Sequence, residues 1–133
     1  MLVREVMTSP AVTVRPGETV REAIGLLDRL RITSLPVVDD AGRPVGVVSE
    51  ADLLREVFGP TTRDTVAGVM TCQVLSVSAD DDVAEAFARM DDAALKSLPV
   101  LLRGRVVGVI SRCDLVATLA RGDLQAADVG QEG

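Results

Sequence analysis

Histidine, tryptophan and tyrosine are missing from these 133 residues, and Phe58 and Phe87 are the only aromatics. Without histidine the chain lacks the commonest general base and cannot build a histidine-containing zinc site. Its two cysteines, Cys72 and Cys113, are far apart and too few for a four-cysteine site, and they fit a reducing, cytoplasmic setting. Scarce aromatics remove the stacking platforms of single-strand binders, and the core has to be aliphatic. Positive charge is also short: 14 Lys+Arg stand against 20 Asp+Glu, for a net charge of -6. That balance argues against the basic face a nucleic-acid partner needs, although one pocket can still oppose the global sign and take a small anion. No run approaches the roughly 18 apolar residues that span a membrane, and Met1-Leu2-Val3-Arg4-Glu5 does not resemble a signal peptide.

What the chain does have is a repeat. Val6-Met7-Thr8 returns as Val69-Met70-Thr71, and Ser34-Leu35-Pro36-Val37 returns as Ser97-Leu98-Pro99-Val100. Gly46-Val47-Val48-Ser49-Glu50-Ala51-Asp52-Leu53 returns as Gly108-Val109-Ile110-Ser111-Arg112-Cys113-Asp114-Leu115. Each half is too short to bury a good core alone, so pairing is the economical solution. The expected organisation is repeat one over 1–59, a linker over 60–68, repeat two over 69–121, and a frayed tail over 122–133.

Within repeat one, Ala11 to Val14 reads as extended. Thr19 with Glu22 forms a capping box, after which Val20, Ala23, Ile24, Leu27 and Leu30 share one helical face. Leu35–Val38 and Pro44–Val48 read as strands around an Asp40-Ala41-Gly42 turn. A helix from Ser49 stops near Phe58-Gly59-Pro60. In repeat two Asp82 caps a helix with Val83, Ala86, Phe87 and Met90 on its apolar face. Strands over Leu98–Leu102 and Val106–Ile110 meet at a tight Arg103-Gly104 turn, and a last helix runs to about Ala120. Each unit reads β-α-β-β-α. Its strands are continuous apolar runs, so both sheet faces should be covered.

The Ser-x-x-Asp junction has two readings. In the plain one the serine caps the helix and the aspartate folds back onto the serine amide. In the other, a helix N-terminus with free amides and a partial positive charge receives an anion. There the hydroxyl donates to phosphate and the aspartate accepts from a ribose diol. The glycine three residues before the serine permits a close approach to the strand. Met7, Met70 and the cysteines read as core or wall, and Asp80-Asp81-Asp82 as a turn with an N-cap.

Taken together, these paired phrases resemble the CBS (cystathionine-β-synthase) domain, and the pair resembles a Bateman module, over about residues 6–57 and 69–120. The resemblance implies an α/β (α+β) fold of two tandem repeats, packed sheet to sheet with pseudo-twofold symmetry and two clefts. It implies a non-enzymatic regulatory module, of the energy-sensing kind, for AMP, ADP, ATP or S-adenosylmethionine, with no required cofactor. Carried over by position, cleft one would use Ser49 and Asp52 with Thr71, Leu95 and Ser97. Cleft two would use Ser111, Arg112 and Asp114 with Thr8, Ile32 and Ser34. Arg112 stands where repeat one has Glu50, so cleft two is expected to be the better nucleotide site. Stand-alone relatives commonly form flat homodimers through their helices, and an effector protein would read the change in packing. The rival expectation is a structural or protein-interaction dimerisation module whose clefts stay empty.

Overall fold

The Thr19–Glu22 box forms as its spacing predicts. In the computed structural model, which describes residues 1–60 and 63–123, the Glu22 amide donates to Thr19 Oγ1 at 3.0 Å and the Thr19 amide donates to Glu22 Oε1 at 3.0 Å. The Thr19 amide, and after it the Thr19 hydroxyl, which donates to the same Oε1 at 2.9 Å, hold the Glu22 carboxyl below its ordinary pKa.

In chain order the elements are α1 (Val3–Val6), α2 (Val20–Leu30), β1 (Ser34–Val38), β2 (Pro44–Ser49), α3 (Glu50–Phe58) and α4 (Val66–Val69). They continue with β3 (Val77–Ser78), α5 (Val83–Asp92), β4 (Ser97–Leu102), β5 (Arg105–Ser111) and α6 (Arg112–Ala120). The chain is thus a mixed α/β protein.

These elements sort into two compact units that do not coincide with the repeats. One is continuous, Val12–Val74; the other is split, joining Met1–Ala11 to the chain from Leu75 onward. In the continuous unit β1 and β2 pair antiparallel, with Ser34 opposite Ser49. Val14 bridges Val37 in parallel on one edge and Thr71 bridges Val47 antiparallel on the other. The split unit repeats this order: β3 pairs parallel with β4, β4 pairs antiparallel with β5, and Thr8 bridges Val109. The Arg103-Gly104 turn has both φ angles positive, 54° and 78°, as a two-residue hairpin requires.

Each unit has its own aliphatic core. In the continuous unit Val14, Ala23, Leu35, Val37, Val48, Leu53 and Val66 are buried together. In the split unit Val3, Val77, Val83, Ala86, Met90, Leu98, Val100 and Ile110 are.

Two expectations need revision, and a third falls outside the described residues. Leu30 and Phe87, assigned to the buried helix faces, are 44% and 46% exposed. The residues before Val6 form the short helix α1, whose fully buried Val3 belongs to the split unit's core. The expected linker becomes core before its end, because Val66 opens α4 and is completely buried. Most of the expected tail, residues 124–133, lies outside the described residues.

The glycine that opens each repeated phrase does permit a close approach, and the approaching group belongs to the same unit. A Cβ added at Gly46 would lie 2.6 Å from Met70 Sδ and 3.0 Å from the Thr71 carbonyl oxygen. At Gly108 it would lie 2.7 Å from Met7 Sδ and 2.9 Å from the Thr8 carbonyl oxygen. The Val-Met-Thr and Gly-x-x-Ser phrases therefore recur together because they are the two sides of one backbone contact.

Candidate functional site

In both units the strand ends on the serine and the helix begins at the next residue. Ser49 and Ser111 keep extended backbones as N-caps of α3 and α6. Their hydroxyls accept from the Asp52 amide at 3.2 Å and the Asp114 amide at 3.1 Å. The aspartates fold back: Asp52 Oδ2 accepts from the Ser49 amide at 2.9 Å, and Asp114 Oδ2 from the Ser111 amide at 2.8 Å. The capping reading of the junction is therefore realised in both copies.

The cap leaves defined chemistry unused. A hydroxyl that accepts one hydrogen bond still has its own proton to donate, and each carboxylate oxygen carries two lone pairs. The amides are fewer than a bare helix N-terminus would offer. Glu50 donates its amide to the Thr33 carbonyl at 2.9 Å, and Arg112 donates to the Lys96 carbonyl at 3.0 Å. With the Asp52 and Asp114 amides also engaged, Ala51 and Cys113 are left holding the first-turn amides without a partner among the described residues. Each junction thus offers one hydroxyl proton, one amide and one partly engaged carboxylate, and α3 and α6 add positive potential at their N-termini.

The remaining oxygens distinguish the two copies. Asp52 Oδ1 pairs with Arg55 at 2.7 Å; the Asp52 side chain is 13% exposed and the Arg55 side chain 72%. Asp114 has Ala117 at the position of Arg55, and its Oδ1 instead accepts from the Thr8 hydroxyl at 3.2 Å. No equivalent bond joins Thr71 to Asp52. Glu50 and Arg112, the pair expected to rank the sites, are both exposed.

The continuous unit holds Ser49, Asp52 and Thr71, with Ser34 opposite Ser49 across the strand pair and Ile32 just before β1. The split unit holds Ser111, Arg112, Asp114 and Thr8, with Ser97 opposite Ser111 and Leu95 just before β4. Each expected cleft therefore draws residues from both units. Reading the sequence for the repeated phrase overlooked Arg55 and the Ala51 and Cys113 amides. The Asp52–Arg55 spacing, three residues on a helix, was the available signal for the first.

The CBS domain profile matches residues 3–59 and again 66–121, nearly all of the chain. The chain belongs to the CBS domain family. Among solved structures, the CBS domain pair of protein MJ0100, in complex with 5-methylthioadenosine and S-adenosyl-L-methionine, superposes with a TM-score of 0.82. It is 26% identical, over 93% of this chain and 98% of that one. CBSX2 in complex with AMP gives a TM-score of 0.80 at 26% identity, over 90% of this chain and 97% of that one. Among curated proteins, the uncharacterised MJ1004 of Methanocaldococcus jannaschii is 33% identical over 127 residues, 91% of this chain and 58% of that protein. The uncharacterised MJ1404 of the same organism is matched over 32% of its length, so the chain spans only part of these curated relatives. In CBS terms the two junctions are the same element written once per repeat. No helix among the described residues is long and apolar enough to cross a membrane.

Proposed function

We propose that this CBS pair is a regulatory module that binds adenosine-containing ligands at its Ser-x-x-Asp junctions. The observation that carries the reading is the duplicated junction itself. In both copies a serine proton, a first-turn amide and a half-engaged carboxylate stand together at the start of a nine-residue helix. Phosphate suits the first two groups and a ribose diol suits the third. That CBS pairs of the same fold hold AMP, or 5-methylthioadenosine with S-adenosyl-L-methionine, supports the same ligand class here. The junction at Ser111 is the stronger nucleotide site. Its aspartate gives up a neutral hydroxyl rather than an ion pair when a ligand arrives, and Arg112 adjoins it while Glu50 adjoins the other.

A thermal-shift screen of AMP, ADP, ATP and S-adenosylmethionine tests the reading. Ligand at about 100 times its dissociation constant adds ~2.7 kcal/mol of stability, a rise of several degrees for a chain of this size. No shift with any of the four would support the alternative, an interaction module with empty sites.

The module is also read as a homodimer that associates through its helices in the cytoplasm and signals to an effector by a change in packing. Supporting the dimer, α3 leaves Leu54, Val57 and Phe58 exposed at 50%, 54% and 83%, and α6 leaves Val116 and Leu119 at 65% and 47%. Sedimentation velocity should give a dimer that Phe58→Ser weakens; a monomer at all accessible concentrations would remove this part of the reading.

A further inference from the structure

We propose that Arg55 is a ligand-selectivity residue of the first CBS repeat, closing Asp52 against uncharged adenosine ligands and yielding to phosphorylated ones. The proposal rests on the reading that adenosine ligands sit at the Ser-x-x-Asp junctions, and it adds which of them the first junction accepts.

The two junctions present the same capped aspartate with different occupants. Oδ2 of Asp52 accepts from the Ser49 amide at 2.9 Å and keeps one lone pair, so a ribose diol that donates both hydroxyls to the carboxylate needs Oδ1 as well. That oxygen is already held by the Arg55 guanidinium at 2.7 Å. The bond is charge-assisted on both sides and joins a mostly covered carboxylate, 13% exposed, to a mostly solvated cation, 72% exposed. A diol that arrives without its own negative charge competes with the guanidinium for Oδ1 and weakens the ion pair, with no anion of its own to compensate the cation.

A ligand carrying a phosphate changes the balance. Arg55 is a long, exposed side chain, and its planar fork pairs with phosphate as readily as with carboxylate. Once the ribose takes Oδ1, the guanidinium is released beside the ligand with a new anion to hold. The exchange is then one ion pair for another, with the diol's hydrogen bonds gained in addition. Ser49's hydroxyl proton and the Ala51 amide lie at the same helix start and suit the same phosphate.

The second junction lacks this device. Ala117 stands in place of Arg55, and the occupant of Asp114 Oδ1 is the Thr8 hydroxyl at 3.2 Å, a neutral donor that costs little to displace. Discrimination by phosphate charge through the aspartate is therefore a property of the first repeat.

The test uses the full chain with Asp114→Ala, which leaves the Ser49 junction as the measured site, and titrates AMP and adenosine by calorimetry. The two ligands differ only in the phosphate. With Arg55 present, AMP should bind the more tightly. Arg55→Ala should raise adenosine affinity about threefold, through loss of a largely exposed ion pair. It should lower AMP affinity about tenfold, through loss of a charged partner, so the preference for AMP falls about thirtyfold. Arg55→Lys, which keeps the charge and loses the fork, should fall between the two. A change in stability alone would move both ligands together. An unchanged preference in Arg55→Ala, with both ligands still binding, overturns the role of Arg55 and leaves the site standing. If neither ligand binds the Asp114→Ala chain while AMP still binds wild type, Asp52 is not a ligand site and the role of Arg55 falls. If nothing binds wild type either, the underlying reading falls with it.

Discussion

Replacing Asp114 by alanine should weaken AMP binding at the second repeat by about ten- to a hundredfold, the effect of removing a charged hydrogen-bond partner. Asp52→Ala should cost less in total AMP affinity, because Asp52 gives up an ion pair to Arg55 before it can receive a ribose. Calorimetry on the two variants checks the order, and a larger loss from Asp52→Ala would reverse the ranking of the junctions. Both substitutions also remove half of a capping box, which costs the helix start on the order of 1 kcal/mol. Binding should therefore be measured well below the unfolding midpoint. Asp114→Asn is a useful companion because it keeps an acceptor oxygen while removing the charge.

Gly108→Ala should destabilise the split unit by about 1–3 kcal/mol, the usual range for forcing extra volume into a close contact. The added methyl would meet a carbonyl oxygen 2.9 Å away and a methionine sulfur 2.7 Å away. Met7 can swing its sulfur aside, but the Thr8 carbonyl cannot withdraw freely. The Thr8 amide donates to Val109 and the Val109 amide donates back to Thr8, at 2.9 and 3.0 Å. Gly46→Ala should behave alike through Met70 and Thr71, since Val47 and Thr71 exchange the same pair of bonds at 2.9 Å each. Denaturant unfolding gives the number. An unchanged midpoint in both variants would mean the Val-Met-Thr segment does not hold its place on the strand.

That contact shows where reading the sequence succeeded and where it stopped. The capping box at Thr19, the helix from Val20, the strand pairs and the Arg103-Gly104 turn are all local, and local spacing declares them. The glycine's need for a close neighbour was legible too. Which segment would approach was not, because a strand pattern states that an edge is free without naming what fills it. For the same reason nothing in residues 1–11 announced that they join a unit beginning at Leu75. Val3 and Val66 look like ordinary isolated valines, and their complete burial follows from long-range packing.

The candidate site divides in the same way. Ser49, Asp52, Ser111 and Asp114 were legible because the phrase is written twice. Their capping bonds were legible as one of two readings, and the structure shows capping together with spare lone pairs and a spare hydroxyl proton. The supply of helix amides was overestimated, because the Thr33 and Lys96 carbonyls consume one at each junction and no spacing rule foretells that. The structure adds a difference that the repeated phrase did not show: Arg55 pairs with Asp52 Oδ1, whereas Ala117 stands in its place in the second copy and Asp114 Oδ1 accepts from the Thr8 hydroxyl.

The central claim is that the two aspartates receive the ribose of an adenosine ligand. Calorimetric titration of AMP into wild type and into the Asp52→Ala, Asp114→Ala double variant tests it most directly, with circular dichroism confirming that the variant is folded. Saturable binding to wild type, weakened at least about tenfold in the folded double variant, is the expected result. Equal binding to both would contradict the account.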